Sequence, residues 1–216
     1  MRDIIFLLVN TINENILIRG VKMKSLKDTE TSKNLLRAFA GESQARNRYM
    51  FYGEVAKNEG YEQIADIFKL TGENEQGHAE IFFNYLINDF NNEELCIDAS
   101  YPIAKGATLA NLQSSAKAEA HEHSEVYPAF ADIARSEGFL EIANSFTLIA
   151  KIENHHRERF DRLATNVQNN KVFKKDEKSI WICRFCGYVL EGLSAPEKCP
   201  VCSHPQSYYE ILSDSF

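Results

Sequence analysis

The sequence predicts an all-α four-helix bundle followed by a small C-terminal metal-binding domain. Three observations point there. Apolar residues keep a helical rhythm from about Thr31 to Gln168. A set of residues recurs 78 positions later within that region, and four of the five cysteines form two Cys-x-x-Cys pairs near the C-terminus.

The bulk numbers fit this division. A chain of 216 residues has room for one ordinary domain and one small one. Hydrophobic content of 44% and charged content of 25% are those of a folded globular protein. A net charge of -7, with no cluster of Lys and Arg, argues against nucleic acid as a partner. The apolar run Ile4 to Val9 is far short of the ~20 residues that span a bilayer. Asn10, Asn13, Glu14 and Asn15 follow it without a small-residue cleavage site, so it does not read as a secretory signal. Residues 1–22 are expected to be a poorly ordered extension, with Met23 as an alternative start, and the protein is expected in the cytoplasm without a membrane partner.

The bundle is assigned to residues 23–169. Its first helix runs to about Glu59, the second from Tyr61 to about Asp89, the third from about Gly106 to Glu137 and the fourth from Phe139 to about Val167. Gly60 and Gly138 supply the stops, since glycine takes the left-handed conformation past a last turn without steric cost. The segment between the second and third helices contains Pro102 and is too long for a tight turn, so it must cross the bundle, as in ferritin-like proteins. Ala56, Glu59, Gly60, Ile64, Ala65 and Phe68 recur as Ala134, Glu137, Gly138, Ile142, Ala143 and Phe146, which makes the bundle a duplicated helical hairpin. Residues 170–178 read as a polar linker, and residues 179–216 form a tail too short to be stable on apolar burial alone.

Polar groups fall on the core seams. The first seam is Leu35, Phe39, Glu42, Arg46, Tyr49; the second contains Phe68, Thr71, Glu75, His78, Phe82; the fourth contains Phe146, Ile149, Glu153, His156, Phe160. A carboxylate at a core position needs a cation or must give up its charge. Glu75/His78 and Glu153/His156 are Glu-x-x-His pairs related by the repeat, and three-residue spacing puts both donors on one helix face. With Glu42 from the first helix and Glu119 and Glu122 from the third, they form the di-iron or di-manganese carboxylate constellation of helical bundles. Tyr49 and Tyr127, also related by the repeat, lie one to two turns from Glu42 and Glu122 and can hydrogen-bond to ligands. His121, His123 and His155 read as surface histidines, and Cys96 as a buried or idle thiol. Glu42 precedes Tyr49 by seven residues but Glu119 precedes Tyr127 by eight, which predicts a π-bulge between Glu119 and Tyr127.

Charge favours a redox metal in the bundle. Five glutamates around two ferrous ions leave a net -1, and two ferric ions bridged by an oxide leave the same, so oxidation changes the buried charge little. Zinc has no redox chemistry, although the ligand set also accepts manganese.

In the tail, Cys183/Cys186 and Cys199/Cys202 are separated by twelve residues, a spacing specific for a tetrahedral thiolate site. Gly187 follows the first pair where the metal-binding turn needs it, and Pro200 lies within the second. Disulfides are the alternative, disfavoured without a secretory signal. Spacing leaves zinc and iron both open. Trp181, Phe185 and Tyr188 are expected to form a dry shell or the small domain's core.

These residues resemble the rubrerythrin family from Met23 onward: Ala40-Gly41-Glu42-Ser43-Gln44-Ala45-Arg46-Asn47-Arg48-Tyr49, the two Glu-x-x-His pairs, Glu119-x-x-Glu122, Cys-x-x-Cys-Gly-Tyr and Cys-Pro-x-Cys. The resemblance implies a ferritin-like di-iron domain joined to a rubredoxin-like iron domain. It implies reduction of hydrogen peroxide to water in oxidative-stress defence, with a rubredoxin or an NAD(P)H-dependent reductase as electron donor. It also implies that Glu42, Glu75, Glu119, Glu122, Glu153 and His156 hold the two irons, while His78 trades places with Glu122 as one iron changes oxidation state. Tyr127 is a candidate proton donor, and a homodimer or larger assembly in which the tail of one subunit serves the bundle of another is expected. The rival readings are a ferroxidase or oxidase using dioxygen, and an iron-storage or zinc-ribbon binding protein.

Overall fold

The computed structural model describes residues 24–213, so the extension expected over residues 1–22 lies outside the described residues. Helix α1 spans Glu30–Asn58, α2 Glu62–Phe90, α3 Thr108–His121, α4 Tyr127–Ser136 and α5 Leu140–Gln168. Between α3 and α4, Glu122–Val126 form a π-turn, where the one-residue mismatch between the repeats predicts it. The four helices of the bundle are therefore α1, α2, the α3–π–α4 unit and α5. Among the described residues no helix is long and apolar enough to cross a membrane.

The helix ends repeat as faithfully as their faces. Gly60 and Gly138 both have φ of +83°, and behind them the amides of Tyr61 and Phe139 reach back to the carbonyls of Ala56 at 2.9 Å and Ala134 at 2.8 Å. The glutamates just before these glycines cross to the other hairpin. Glu137 accepts from the amides of Glu30 at 3.0 Å and Thr31 at 2.8 Å, capping α1 beside Thr29, whose own hydroxyl accepts from Ser32 at 3.1 Å. Glu59 accepts from the amide of Thr108 at 3.0 Å, capping α3. Each hairpin thus supplies the anion that the helix N-terminus of the other requires.

The bundle core consists of two apolar clusters. Around Tyr127 pack Phe82, Phe146 and Leu35; around Tyr49 pack Phe68, Phe160 and Leu112. Tyr49, Phe68 and Phe82 become Tyr127, Phe146 and Phe160 on adding 78, so the clusters are repeat-related halves. On α1 the seam differs from expectation in one place. Arg46 is only half-buried and donates to Gln76 at 3.0 Å, whereas Arg48 is buried.

The tail is a three-stranded antiparallel sheet, β1 (Lys174–Cys183), β2 (Val189–Ser194) and β3 (Tyr209–Ile211), in the order β2-β1-β3. Residues 174–178 of the expected linker belong to β1: Lys174 pairs with Ser194, and a register shift follows before Ser179. The stretch is mostly exposed, so no alternation marks it in the sequence. Phe173 packs on the tail's core and stacks on Tyr61 of the bundle, with centroids 6.0 Å apart and planes at 7°. Arg184 links the two parts further, its guanidinium bonded to Glu210 in the tail and Asp66 on α2.

Candidate metal centres

The Glu-x-x-His pairs of α2 and α5 face one another in the middle of the bundle, between the two apolar clusters, and Glu42 and Glu119 close the ring from α1 and α3. His78 Nδ1 stands 2.9 Å from Glu75, 3.0 Å from Glu153 and 3.7 Å from Glu42. His156 Nδ1 stands 2.9 Å from Glu153, 3.2 Å from Glu75 and 3.8 Å from Glu119. Two donor groups result: Glu42, Glu75, His78 and Glu153, and Glu75, Glu119, Glu153 and His156. Glu75 and Glu153 belong to both, so each can bridge two metals.

These groups fit cations rather than one another. His78 Nδ1, His156 Nδ1, both oxygens of Glu75 and Glu153, and one oxygen each of Glu42 and Glu119 are buried without a hydrogen-bond partner. They approach to about 3 Å without a hydrogen bond between them. An edge of ~3 Å is what metal bonds of ~2.1 Å to oxygen and nitrogen produce. Orphaned buried polar atoms are rare and costly, so this many together mark a site built for ions.

Without cations the cluster must hold protons. Burial, and then the neighbouring carboxylates, push Glu42 and Glu122 well above the usual carboxylate range. Burial and the Glu75 charge raise Glu119 to about 8. For Glu153 burial also pushes upward, but His156 and His78 outweigh it and hold the carboxyl at about 2. Against the same burial, Glu153 and Glu75 lift His78 to about 9, while Glu119, Glu153 and Glu75 lift His156 to about 12.

The tyrosines bond across the repeat. Tyr49 donates to Glu119, and Tyr127 donates to Glu42, so each tyrosine on one hairpin orients a glutamate on the other. Both glutamates are 1% exposed and keep a second oxygen free to face inward. Glu122 stands apart. It opens the π-turn, is partly exposed and belongs to neither donor group. His121 and His155 are exposed as expected, but His123 is half-buried, its Nδ1 lying 2.7 Å from the Ala150 carbonyl. Cys96 is exposed rather than buried. Arg48 is buried with two unpartnered nitrogens, and in the sequence Arg46-Asn47-Arg48 hides which arginine faces inward.

In the tail the four sulfurs lie within 4.8 Å of one another. Cys183 to Cys202 and Cys186 to Cys199 are each 3.7 Å apart, close to the ~3.8 Å edge of a tetrahedron with metal–sulfur bonds of ~2.3 Å. The two loops match each other. Gly187 has φ of +76° and its amide bonds to Cys183 at 2.8 Å; Ser203 has φ of +65° and its amide bonds to Cys199 at 2.9 Å. The expected aromatic shell is only partly present. Trp181 is fully buried, but Phe185 is 62% exposed and stacks on His204, and Tyr188 is 36% exposed; Tyr209 fills the inner position instead. Cys186 is itself exposed.

Comparison with known proteins agrees with both centres. A family model described as Rubrerythrin matches residues 33–164, and one described as the rubrerythrin rubredoxin-like domain matches residues 181–210. The chain is 51% identical to Rubrerythrin-1 of Clostridium acetobutylicum over 195 residues, covering 90% of this chain and all of that one. It is 49% identical to a rubrerythrin of Nitratidesulfovibrio vulgaris, covering 88% of this chain and 98% of the relative. Among solved structures it is similar to nigerythrin in a partially reduced state, with a TM-score of 0.58 and 26% identity, covering 91% and 96% of the two chains. A bacterioferritin of Desulfovibrio desulfuricans, at 22% identity and a TM-score of 0.59, shares the ferritin-like fold. With a carboxylate–histidine di-iron site in its bundle and a rubredoxin-like four-cysteine site in its tail, the chain belongs to the rubrerythrin family.

Proposed function

We propose that the chain is a non-haem di-iron peroxidase that reduces hydrogen peroxide to water, with electrons relayed through iron at Cys183, Cys186, Cys199 and Cys202. The observation that carries this reading is the pairing of two unlike centres on one chain: a cluster sealed inside the bundle, and a four-sulfur site whose Cys186 meets solvent. An iron-storage protein needs no electron return; a peroxidase does.

Peroxide takes up two electrons and two protons to give two waters. Iron held by the cluster would supply the two electrons when reduced, and iron held by the four cysteines would return them singly. Glu42, Glu75, Glu119, Glu153 and His156 would hold the metals, with His78 and Glu122 as alternative ligands at one position. Tyr49 and Tyr127 fix Glu119 and Glu42 by their hydrogen bonds. The protons come through the carboxyl of Glu122, which lines a cavity, while Tyr127 keeps its proton on Glu42.

An electron donor, a small rubredoxin or an NAD(P)H-dependent reductase, docks near exposed Cys186 in the cytoplasm, where thiols stay reduced. The working unit is a homodimer or larger assembly. Met50, Phe51, Phe83, Ile87 and Ile152 leave apolar surface on the outside of the bundle that a second copy buries. Asp66, where the tail docks, is nine residues before Glu75, about 14 Å of helix.

The test is peroxide consumption under a reducing donor by the wild type and by Cys183→Ser. The reading predicts sustained turnover for the first and a single turnover for the second. Equal sustained turnover, or none in the iron-loaded wild type, would overturn it.

A further inference from the structure

The donors brought together in the bundle are sealed: Glu42, Glu75, Glu119, Glu153 and His156 are at most 1% exposed and His78 is 5% exposed. Glu122 is partly exposed and lines a cavity of about 300 Å³ that also reaches Tyr127. Arg37 and Gly41 of α1 form one wall of it, and the crossover between α2 and α3 roofs it from Asp98 to Pro102.

That roof has one plug. From residue 98 to 106 every side chain is exposed except Tyr101, which turns inward. Tyr101 Oη donates to the Arg37 carbonyl at 2.8 Å, and its ring lies 3.5 Å from where a Cβ on Gly41 would stand. Beside it Arg37 Nε donates to the Asp98 carbonyl at 3.2 Å, Arg37 being steadied in turn by Glu30 and Asn34, and farther along the crossover Tyr52 of α1 donates to the Ala104 carbonyl. Over the cavity itself, residues 98–102 have no regular structure and only these first two bonds to α1 among the described residues, so they open more readily than a packed helix face.

We propose that this cavity is the access route to the metal centre, and that Tyr101, closing it over Gly41, sets the size of hydroperoxide that reaches Glu122. This rests on the peroxidase reading. Hydrogen peroxide fills about the space of two waters, roughly 60 Å³, and passes beside the tyrosine ring. A branched aromatic hydroperoxide is several times larger and is excluded until the ring is removed. At position 41 a side chain longer than alanine would occupy the path.

The experiment uses the iron-loaded full chain. After anaerobic reduction, rates of oxidation by hydrogen peroxide and by cumene hydroperoxide are measured by stopped flow. Tyr101→Ala is expected to raise the cumene-to-hydrogen peroxide rate ratio at least tenfold, and an unchanged ratio overturns the proposal. Separately, azide binding to the oxidised protein is followed by absorbance, which requires no turnover. Gly41→Leu is expected to slow azide at least tenfold while Gly41→Ala, whose Cβ meets Tyr101 at an ordinary contact distance, leaves it unchanged. Normal azide binding in Gly41→Leu with iron retained overturns the proposal. If Gly41→Leu does not retain iron, azide binding to Tyr101→Ala decides: faster than wild type supports the route, unchanged overturns it. A wild type inert to peroxide whose azide rates follow this pattern would refute the peroxidase reading and leave the route standing.

Discussion

Glu153 occupies the most consequential position in the bundle, because its two oxygens serve different halves of the site: Oε1 lies 3.0 Å from His78 and Oε2 2.9 Å from His156. Glu153→Gln keeps the shape and removes the charge. One unit charge about 4 Å from another is worth about 4 kcal/mol at an effective dielectric of about 20. Metal affinity should therefore fall at least about a thousandfold at both positions. Glu42→Gln removes a charge from the His78 group alone, since Glu42 is not in the His156 group. Titrating metal-free protein with ferrous iron anaerobically, and counting bound iron after desalting, should give two tightly held ions in the bundle of the wild type. It should give one in Glu42→Gln and none in Glu153→Gln. Two retained ions in Glu153→Gln, or the same loss in both variants, would refute the bridging assignment.

Three further outcomes follow from the same geometry. The metal-free protein should lose stability as pH rises from about 5 to 9. Glu119, raised to about 8, and His78, raised to about 9, stabilise the fold below their unfolded values and lose that contribution as pH climbs through the folded ones. Glu153, held at about 2, acts oppositely, its contribution present above the normal carboxylate value and lost only in strong acid. Urea denaturation at several pH values reads this, and metal loading should abolish the slope because cations replace the protons; a metal-free protein more stable at pH 9 than at pH 5 would contradict it. Tyr127→Phe leaves buried Glu42 without its donor and should cost about 1–3 kcal/mol in the metal-free protein by denaturation, with Tyr49→Phe costing a similar amount through Glu119; no loss in either would show the bonds are not formed. Mixing Cys183→Ser with Glu42→Ala and re-forming hybrid dimers should restore peroxide turnover if the tail of one subunit serves the bundle of the other; unrestored turnover would count against that transfer.

Duplication made the bundle legible in the sequence. Gly60 and Gly138 stop helices, the Glu-x-x-His pairs converge, and the residue gained between Glu119 and Tyr127 becomes a π-turn. What could not be read there depends on contacts distant in sequence. The caps from Glu59 and Glu137 run to the opposite hairpin, and the tyrosines likewise choose the glutamate across the repeat. Arg46 and Arg48 differ by 200° around the helix, but the charged run between apolar positions does not say which of them turns inward. In the tail, Phe185 and Tyr188 are aromatic yet exposed, because a sheet of three short strands has one core and Trp181 with Tyr209 fills it. The start of β1 over residues 174–178 is mostly exposed and carries no pattern of its own.

The central claim is a circuit in which the bundle consumes electrons and the four-cysteine site supplies them. Its most direct test is one equivalent of hydrogen peroxide added to fully reduced, iron-loaded protein without oxygen, with both iron chromophores followed in time. The circuit predicts that peroxide disappears as the bundle irons oxidise, that the cysteine-bound iron oxidises afterwards, and that Glu153→Gln abolishes both phases. Oxidation of the cysteine-bound iron at an undiminished rate in Glu153→Gln, or peroxide left unconsumed by the wild type, would contradict it.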